Sequence, residues 1–296
     1  MKLASNASFA VMIFALGITG CSAPETRAPS DAGSISSAET GTVTSIRNAG
    51  AIAELGEGED AIKVLFDPLY DNHFGSLAEL DDALIEKIVL GKAPYDGVSA
   101  VFVSHAHGDH FSARHLSRLL AAQPEVTLVA PEPAIAAMRK VSEWQDGFAD
   151  RVRAITLENG QAAETFTIAD ATVEAFRSPH AGWPERHKTV HNLTFRVSAS
   201  TGSDGAQRVM HLGDADPGVE FFAPHKRFLE SKRTGLALVP FWFFREENKD
   251  ALIGSVLNAE SVTGIHVPQE TPGWLGESDH SHFTAEGQRA DVPTTR

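Results

Sequence analysis

An α/β sandwich, with two β-sheets packed face to face and helices outside them, is the fold this sequence predicts for one domain. Three observations point to it. Short β-rich runs arrive in two batches, each with helical patterns attached. Within the first batch the order is repeatedly strand, then helix. And His105, His180, His211, Asp214 and His266 all fall at or just beyond the C-terminal ends of apparent strands, where loops on one sheet edge can gather residues distant in sequence.

The elements follow in order. "TVTSIRNA", "GAIAEL" and "AIKVLFDP" open as strands, and the acidic "ELGEGED" between the last two reads as a solvated hairpin. In "SLAELDDALIEKIVLG" the residues Leu77, Leu80, Leu84, Ile85 and Ile88 share one helical face, with Ser76 as the expected N-cap. "GVSAVFVSH" reads as a buried strand and "SARHLSRLLAA" as a helix opening at Ser112; "EVTLVAP" and "EPAIAAMRKV" repeat that order. The second batch comprises "AETFTIA", "TVEAFRS", "NLTFRVSA" and "QRVMHLGD". It closes with "GLALVP" and "VTGIHVP" on either side of the helical "KDALIGSVLNAE".

The chain ends carry other signals. Lys2 precedes a ten-residue apolar run, Phe9 to Ile18. That is too short for the roughly 20 residues of a membrane span, and reads as a signal peptide over 1–20. "ITGC" then resembles the lipobox of bacterial lipoproteins, which implies a lipid on Cys21, the single cysteine of the chain. A lone cysteine excludes an internal disulfide or a cysteine-based zinc site. Residues 21–41 are rich in Ser, Ala, Pro and Gly and read as a flexible tether. The resemblance places the protein in the bacterial envelope, and Ser22 after the cysteine implies the outer membrane, facing the periplasm. The folded domain is expected over 42–284 and a loose polar tail over 285–296. A formal net charge of −14 without any run of Lys and Arg argues against a nucleic-acid partner.

"SHAHGDH" places His105, His107, Asp109 and His110 within six positions. His105 and His107, two apart, point to the same side of an extended segment. Gly108 then eases the turn into Asp109 and His110. Four donors from one short loop crowd around a single ion and divide more comfortably between two neighbouring ones.

This HxHxDH pattern, followed in order by His180 in "SPHAGW", Asp214 in "HLGDADP" and His266 in "GIHVP", resembles the metallo-β-lactamase superfamily from about Thr42 to about Thr284. The resemblance implies an αββα sandwich with a dinuclear site at one sheet edge. His105, His107 and His180 would hold the first ion, Asp109, His110 and His266 the second, and Asp214 would bridge them opposite a nucleophilic hydroxide. Asp109 would also orient that hydroxide or take its proton. Zinc suits these donors best, with Mn2+ or Fe2+ also fitting. Asp214 sets the chain apart from the true β-lactamases. "FDP", "HN" at His191–Asn192 and "HLGDADP" resemble a lactonase-like branch that includes ascorbate-6-phosphate lactonase and, more distantly, N-acyl-phosphatidylethanolamine-hydrolysing phospholipase D. The implied substrate is a small-molecule ester, lactone or phosphodiester. A membrane phospholipid is the second reading, a β-lactam the third, and a non-catalytic metal-binding lipoprotein the fourth.

Other residues carry competing readings. Asp67 is expected to orient a ligand loop. His191 reads either as a donor to the leaving group or as a strand-start histidine bonded to backbone. His211 reads as a brace for the site or as a satisfied core histidine, and Asp216 as support for the site or as a solvated turn. His187 reads as ordinary surface. In "PFWFFREEN", strand alternation would bury Trp242 and Phe244 and leave Phe241 and Phe243 on the other side. One or two of these rings, with Trp183 and Trp274, are candidates for an apolar pocket wall.

Overall fold

A computed structural model describes residues 40–58, 61–201, 205–247 and 249–296. The signal peptide, Cys21 and nearly all of the tether lie outside the described residues. One seven-stranded sheet runs in the order β13 (Arg289–Val292), β1 (Gly41–Arg47), β2 (Gly50–Leu55), β3 (Ile62–Phe66), β4 (Ala100–Phe102), β5 (Thr127–Pro131), β6 (Val152–Ile155). The other runs β12 (Ala259–Ile265), β11 (Thr234–Pro240), β10 (Ala206–His211), β9 (Leu193–Ser200), β8 (Ala171–Arg177), β7 (Glu164–Ile168), and β14 (Thr294–Thr295) pairs with β10. The expected two-sheet α/β sandwich is the fold observed.

Side-chain alternation explains why both sheets are covered on both faces. In β3 and β4, Val64, Phe66, Ala100 and Phe102 enter the core between the sheets, where Phe66 and Phe102 stack at 5.3 Å. Leu65 and Val101 point the other way, under α1 (Asp82–Val89), α2 (Ala113–Ala122) and α3 (Glu132–Met138). In β11, Leu236 and Leu238 face inward, while Ala237 and Val239 pack outward with Phe222 and Leu229 of two short helices, α4 (Val219–Phe222) and α5 (Lys226–Ser231). No helix among the described residues is long and apolar enough to cross a membrane.

Three expectations are corrected. Helix α1 begins later than predicted: Asp81, not Ser76, is its N-cap, and the Asp81 carboxylate accepts from Leu84 N at 2.8 Å. Ser76 instead sits in a turn closed on His73 O, and its own carbonyl accepts from Gln269 N. The tail is not loose. Residues 289–292 form an edge strand on β1 that buries Val292, and Arg208 donates to Thr295 O and Oγ1. Finally, residues 241–245 leave β11 as a 3-10 turn, so strand alternation fails there: Phe243 and Phe244 are buried, and Phe241 and Trp242 are half-buried.

Parallel pairing aligns the strand ends. β3 and β4 run parallel, as do β10, β11 and β12, and β8 shares the direction of β10 because both pair antiparallel with β9. One edge of the sandwich therefore receives the loops after β3, β4, β8, β10, β11 and β12.

Candidate metal centre

That edge collects the donors. His105, His107 and His180 place one ligand atom each within 4.8 Å of one another, and Asp109, His110, Asp214 and His266 do the same. All seven residues expected as ligands are thus in two adjoining groups. Asp214, only 5% exposed, reaches into both. Its Oδ2 lies 3.4 Å from His180 Nε2, 4.0 Å from His105 Nε2 and 3.5 Å from His266 Nε2, and its Oδ1 lies 3.0 Å from His110 Nε2.

The histidines are turned inward by bonds at their other ring nitrogens. His110 Nδ1 meets Asp67 Oδ2 at 2.7 Å, His105 Nδ1 meets Ser104 Oγ at 3.0 Å, and His180 Nδ1 meets Ala181 O at 3.0 Å. Ser104 Oγ–H in turn donates to Asp67 Oδ2 at 2.6 Å, and Ser104 N–H to Oδ1 at 2.7 Å. A proton fixed at Nδ1 leaves Nε2 with its lone pair, which is how carboxylate and carbonyl partners prepare histidine for a metal. Asp67, expected to orient a ligand loop, makes these contacts.

The donor atoms are not satisfied by each other. His105 Nε2, His110 Nε2, His180 Nε2, Asp109 Oδ1 and Asp214 Oδ1 are buried without a well-aligned hydrogen-bond partner. Orphaned buried polar atoms are rare and costly, and five converging at one place fit a cation as the missing partner. Electrostatics agree. Burial disfavours charge on Asp214, yet the charges of His110 and His266 outweigh it and hold the carboxyl well below its usual range. Burial also opposes charge on His110, but Asp214 and Asp67 push its pKa well above 6.5. Burial takes His105 well down, and His107 down to about 4. Burial opposes the Asp109 charge too, but the bond with His266 Nε2, at 3.0 Å, brings its pKa below the ordinary value.

The loops lock together behind the donors. Asp216 accepts from Gly182 N (3.0 Å) and Gly218 N (3.1 Å), and its own N–H donates to Pro179 O, tying the His180 loop to the Asp214 loop. His211 Nε2 bonds Ala49 O at 2.9 Å and Nδ1 accepts from Gly213 N at 3.1 Å, with the ring stacked on Phe66 at 5.1 Å. It is therefore both a satisfied core histidine and the brace of the turn before Asp214. Gly213 has φ +55, and a Cβ there would lie 2.3 Å from Asn192 Oδ1.

His191 is not brought into either group. It is half-buried, and the charges acting on it are those of Arg177 and Glu158. His187, read as surface, is exposed, and its ring also lies tilted against His180 at 4.5 Å and edge-on to His107 at 5.2 Å. Sequence reasoning also gave no role to Asn192 and Asn48. Asn192 Oδ1 accepts from Asp214 N (3.0 Å) while its amide donates to Ser178 Oγ and Leu212 O. Asn48 donates to Asp109 O (2.8 Å), and its carbonyl accepts from His266 N. Both lie just outside strands, Asn48 in the turn between β1 and β2 and Asn192 immediately before β9.

Residues 63–288 match the family model described as a β-lactamase superfamily domain. The chain belongs to that superfamily. This β-lactamase superfamily member has the metallo-β-lactamase fold, and its family is one of metal-dependent hydrolases. Among solved structures it is similar to a protein assigned as a metal-dependent hydrolase from Parabacteroides distasonis, at 14% identity and TM-score 0.52, covering 84% of this chain and 94% of that one. Yeast PDE1 aligns at 12% identity and TM-score 0.47, covering 86% and 99%. CmlA, a diiron β-hydroxylase from Streptomyces venezuelae, aligns at 10% identity and TM-score 0.46, where this chain spans 54% of the longer protein. No curated protein matches the chain.

Proposed function

We propose that this protein is a hydrolase of an ester, lactone or phosphodiester, working with two divalent cations. The observation that carries the reading is Asp214, buried and facing both donor groups, with unpartnered atoms on either side. His105, His107 and His180 would hold one ion, Asp109, His110 and His266 the other, with Asp214 shared. Zinc suits this imidazole and carboxylate set, and iron or manganese would fit the same donors. When bound, such a pair acidifies water near neutral pH and stabilises charge on the attacked group.

The chain's own residues do the rest. Asp67 and Ser104 keep the ligating tautomers of His110 and His105. Asp109 Oδ1, buried and unpartnered beside the donors, is the atom positioned to take a proton from the attacking water. His187, exposed at the mouth, lies where a substrate would enter.

We also propose that the enzyme is lipid-anchored through Cys21 in the envelope, at the outer membrane facing the periplasm, on the strength of "ITGC" and Ser22. The anchor favours, as a second reading, a membrane phospholipid as substrate. Cys21→Ser should then leave the membrane fraction, and retention there would refute the anchor.

An initial-rate panel tests the main reading: a lactone, an aryl ester, a phosphodiester, a phospholipid and a β-lactam, with Asp214→Ala as control. Hydrolysis of the lactone, ester or phosphodiester by the wild type and not by the control supports it, and hydrolysis of the β-lactam alone would overturn it. No class above the control would overturn it.

A further inference from the structure

Strand β11 lies between β10 and β12, parallel to both, and its C-terminal end opens on the same edge as theirs. The loops after β10 and β12 bring Asp214 and His266. The turn after β11 brings no donor; it brings Phe241 and Trp242. The Trp242 indole N–H donates to Ala215 O at 3.1 Å, one residue past Asp214, and its ring stands edge-on to His266 at 5.4 Å. Phe241 meets Trp242 edge-on at 5.5 Å and stacks on Trp274 at 6.1 Å, and the Arg245 guanidinium lies 5.4 Å from the Trp274 ring centre.

The same turn shows that this exposure is not a shortage of core. Phe243 and Phe244 are 0% and 4% exposed, whereas Phe241, Trp242 and Trp274 each keep part of their surface open. The open rings are also the fixed ones, through an indole hydrogen bond, ring contacts and a cation. A wall ordered in advance costs little entropy when an apolar group settles on it.

We propose that Phe241, Trp242 and Trp274 form the wall that receives an apolar acyl or aryl arm of the substrate, running outward from His266. The inference rests on the hydrolase reading for placing the scissile bond over the donors. Each methylene laid on such a wall should improve binding by up to about fourfold.

The test uses the full chain loaded with zinc and two readouts. The first is kcat/KM for p-nitrophenyl acetate, butanoate, hexanoate and octanoate; the second is Kd for the four matching carboxylates by calorimetry. Both should improve along the series, by about tenfold or more from butanoate to octanoate, which is less than the full four methylenes allow. Trp242→Ala and Trp274→Ala should each flatten the two slopes, while Leu90→Ala, at an exposed position after α1, should leave them unchanged. Metal content and circular dichroism check folding, and Trp274→Ala suffices if Trp242→Ala misfolds. A flat carboxylate series in the wild type, or an undiminished slope in the folded variants, overturns the proposal. A steep carboxylate series without turnover of any ester would support the wall and count against ester hydrolysis. Turnover with a flat series would do the reverse.

Discussion

If the site takes two metal ions as proposed, Asp67→Asn should weaken the binding of one and spare the other. The Asp67 carboxylate receives Ser104 N–H on Oδ1, and Ser104 Oγ–H and His110 Nδ1–H on Oδ2. An asparagine that keeps its carbonyl toward Ser104 N must turn its NH2 toward His110 Nδ1. That nitrogen then has to accept, the ring proton moves to Nε2, and Nε2 presents N–H toward Asp214 instead of a lone pair. Losing a bond that sets a ligand's tautomer typically weakens metal affinity about 10–100-fold, or about 1.4–2.8 kcal/mol at 1.4 kcal/mol per tenfold. His180 is tied to Ala181 O and should be unaffected. His105 relies on Ser104 Oγ, whose O–H loses its acceptor at Oδ2 but can turn to the deprotonated His110 Nδ1, 3.4 Å away, and so keep accepting from His105. Competition with a chromophoric chelator should therefore show one equivalent bound as in the wild type and a second weakened by that factor. Wild-type affinity for both equivalents would refute the tautomer argument, and equal weakening of both would make Asp67 a general structural residue.

Three other outcomes follow from the same geometry. In the metal-free protein Asp214 and Asp67 raise the pKa of His110 well above 6.5 despite burial. Its contribution to metal-free stability is thus complete below about pH 6.5 and is lost as pH rises through the raised value. Metal uptake should displace the proton that His110 binds, seen as a buffer-dependent heat in calorimetry, and affinity should fall as pH falls; a heat independent of buffer would contradict this. Gly213→Ala should destabilise by about 2–4 kcal/mol in a denaturant titration, because its Cβ would lie 2.6 Å from Ser104 Cβ as well as against Asn192, at a positive φ; wild-type stability would mean the turn can shift at little cost. Deleting residues 285–296 should lower Tm by about 5 °C or more, since it exposes the β1 edge and uncovers the site of buried Val292. An unchanged Tm would restore the loose tail.

What was legible in the sequence was what is local or ordered along the chain. "SHAHGDH" is compact enough to read by itself, and His180, Asp214 and His266 were found because each follows an apparent strand. The two sheets were legible because both faces of β3, β4 and β11 are apolar. The supports of the site were not legible: Asn48 meets Asp109, and Asn192 meets Asp214, only once the strands of each sheet have paired. The tail was misread because an edge strand needs few inward apolar residues, and in β13 only Val292 is fully buried.

The turn after β11 shows how a correct period can mislead by one element. A period of two across Pro240 to Phe244 holds only while the chain stays extended. The strand ends at Pro240, whose backbone is still extended (φ −54°, ψ 137°), and the next residues coil into a 3-10 turn with three residues per repeat. The faces are therefore reassigned: Phe243 moves inward and Trp242 outward, onto His266 and Ala215. Burying Trp242 in the core would have hidden a large ring that stands edge-on to His266 and keeps part of its surface open. The candidate metal donors were legible because chemistry restricts such ligands to a few residue types. The apolar wall was not, because an aromatic ring is equally at home in a core, and only the backbone's change of helical period decides which side it takes.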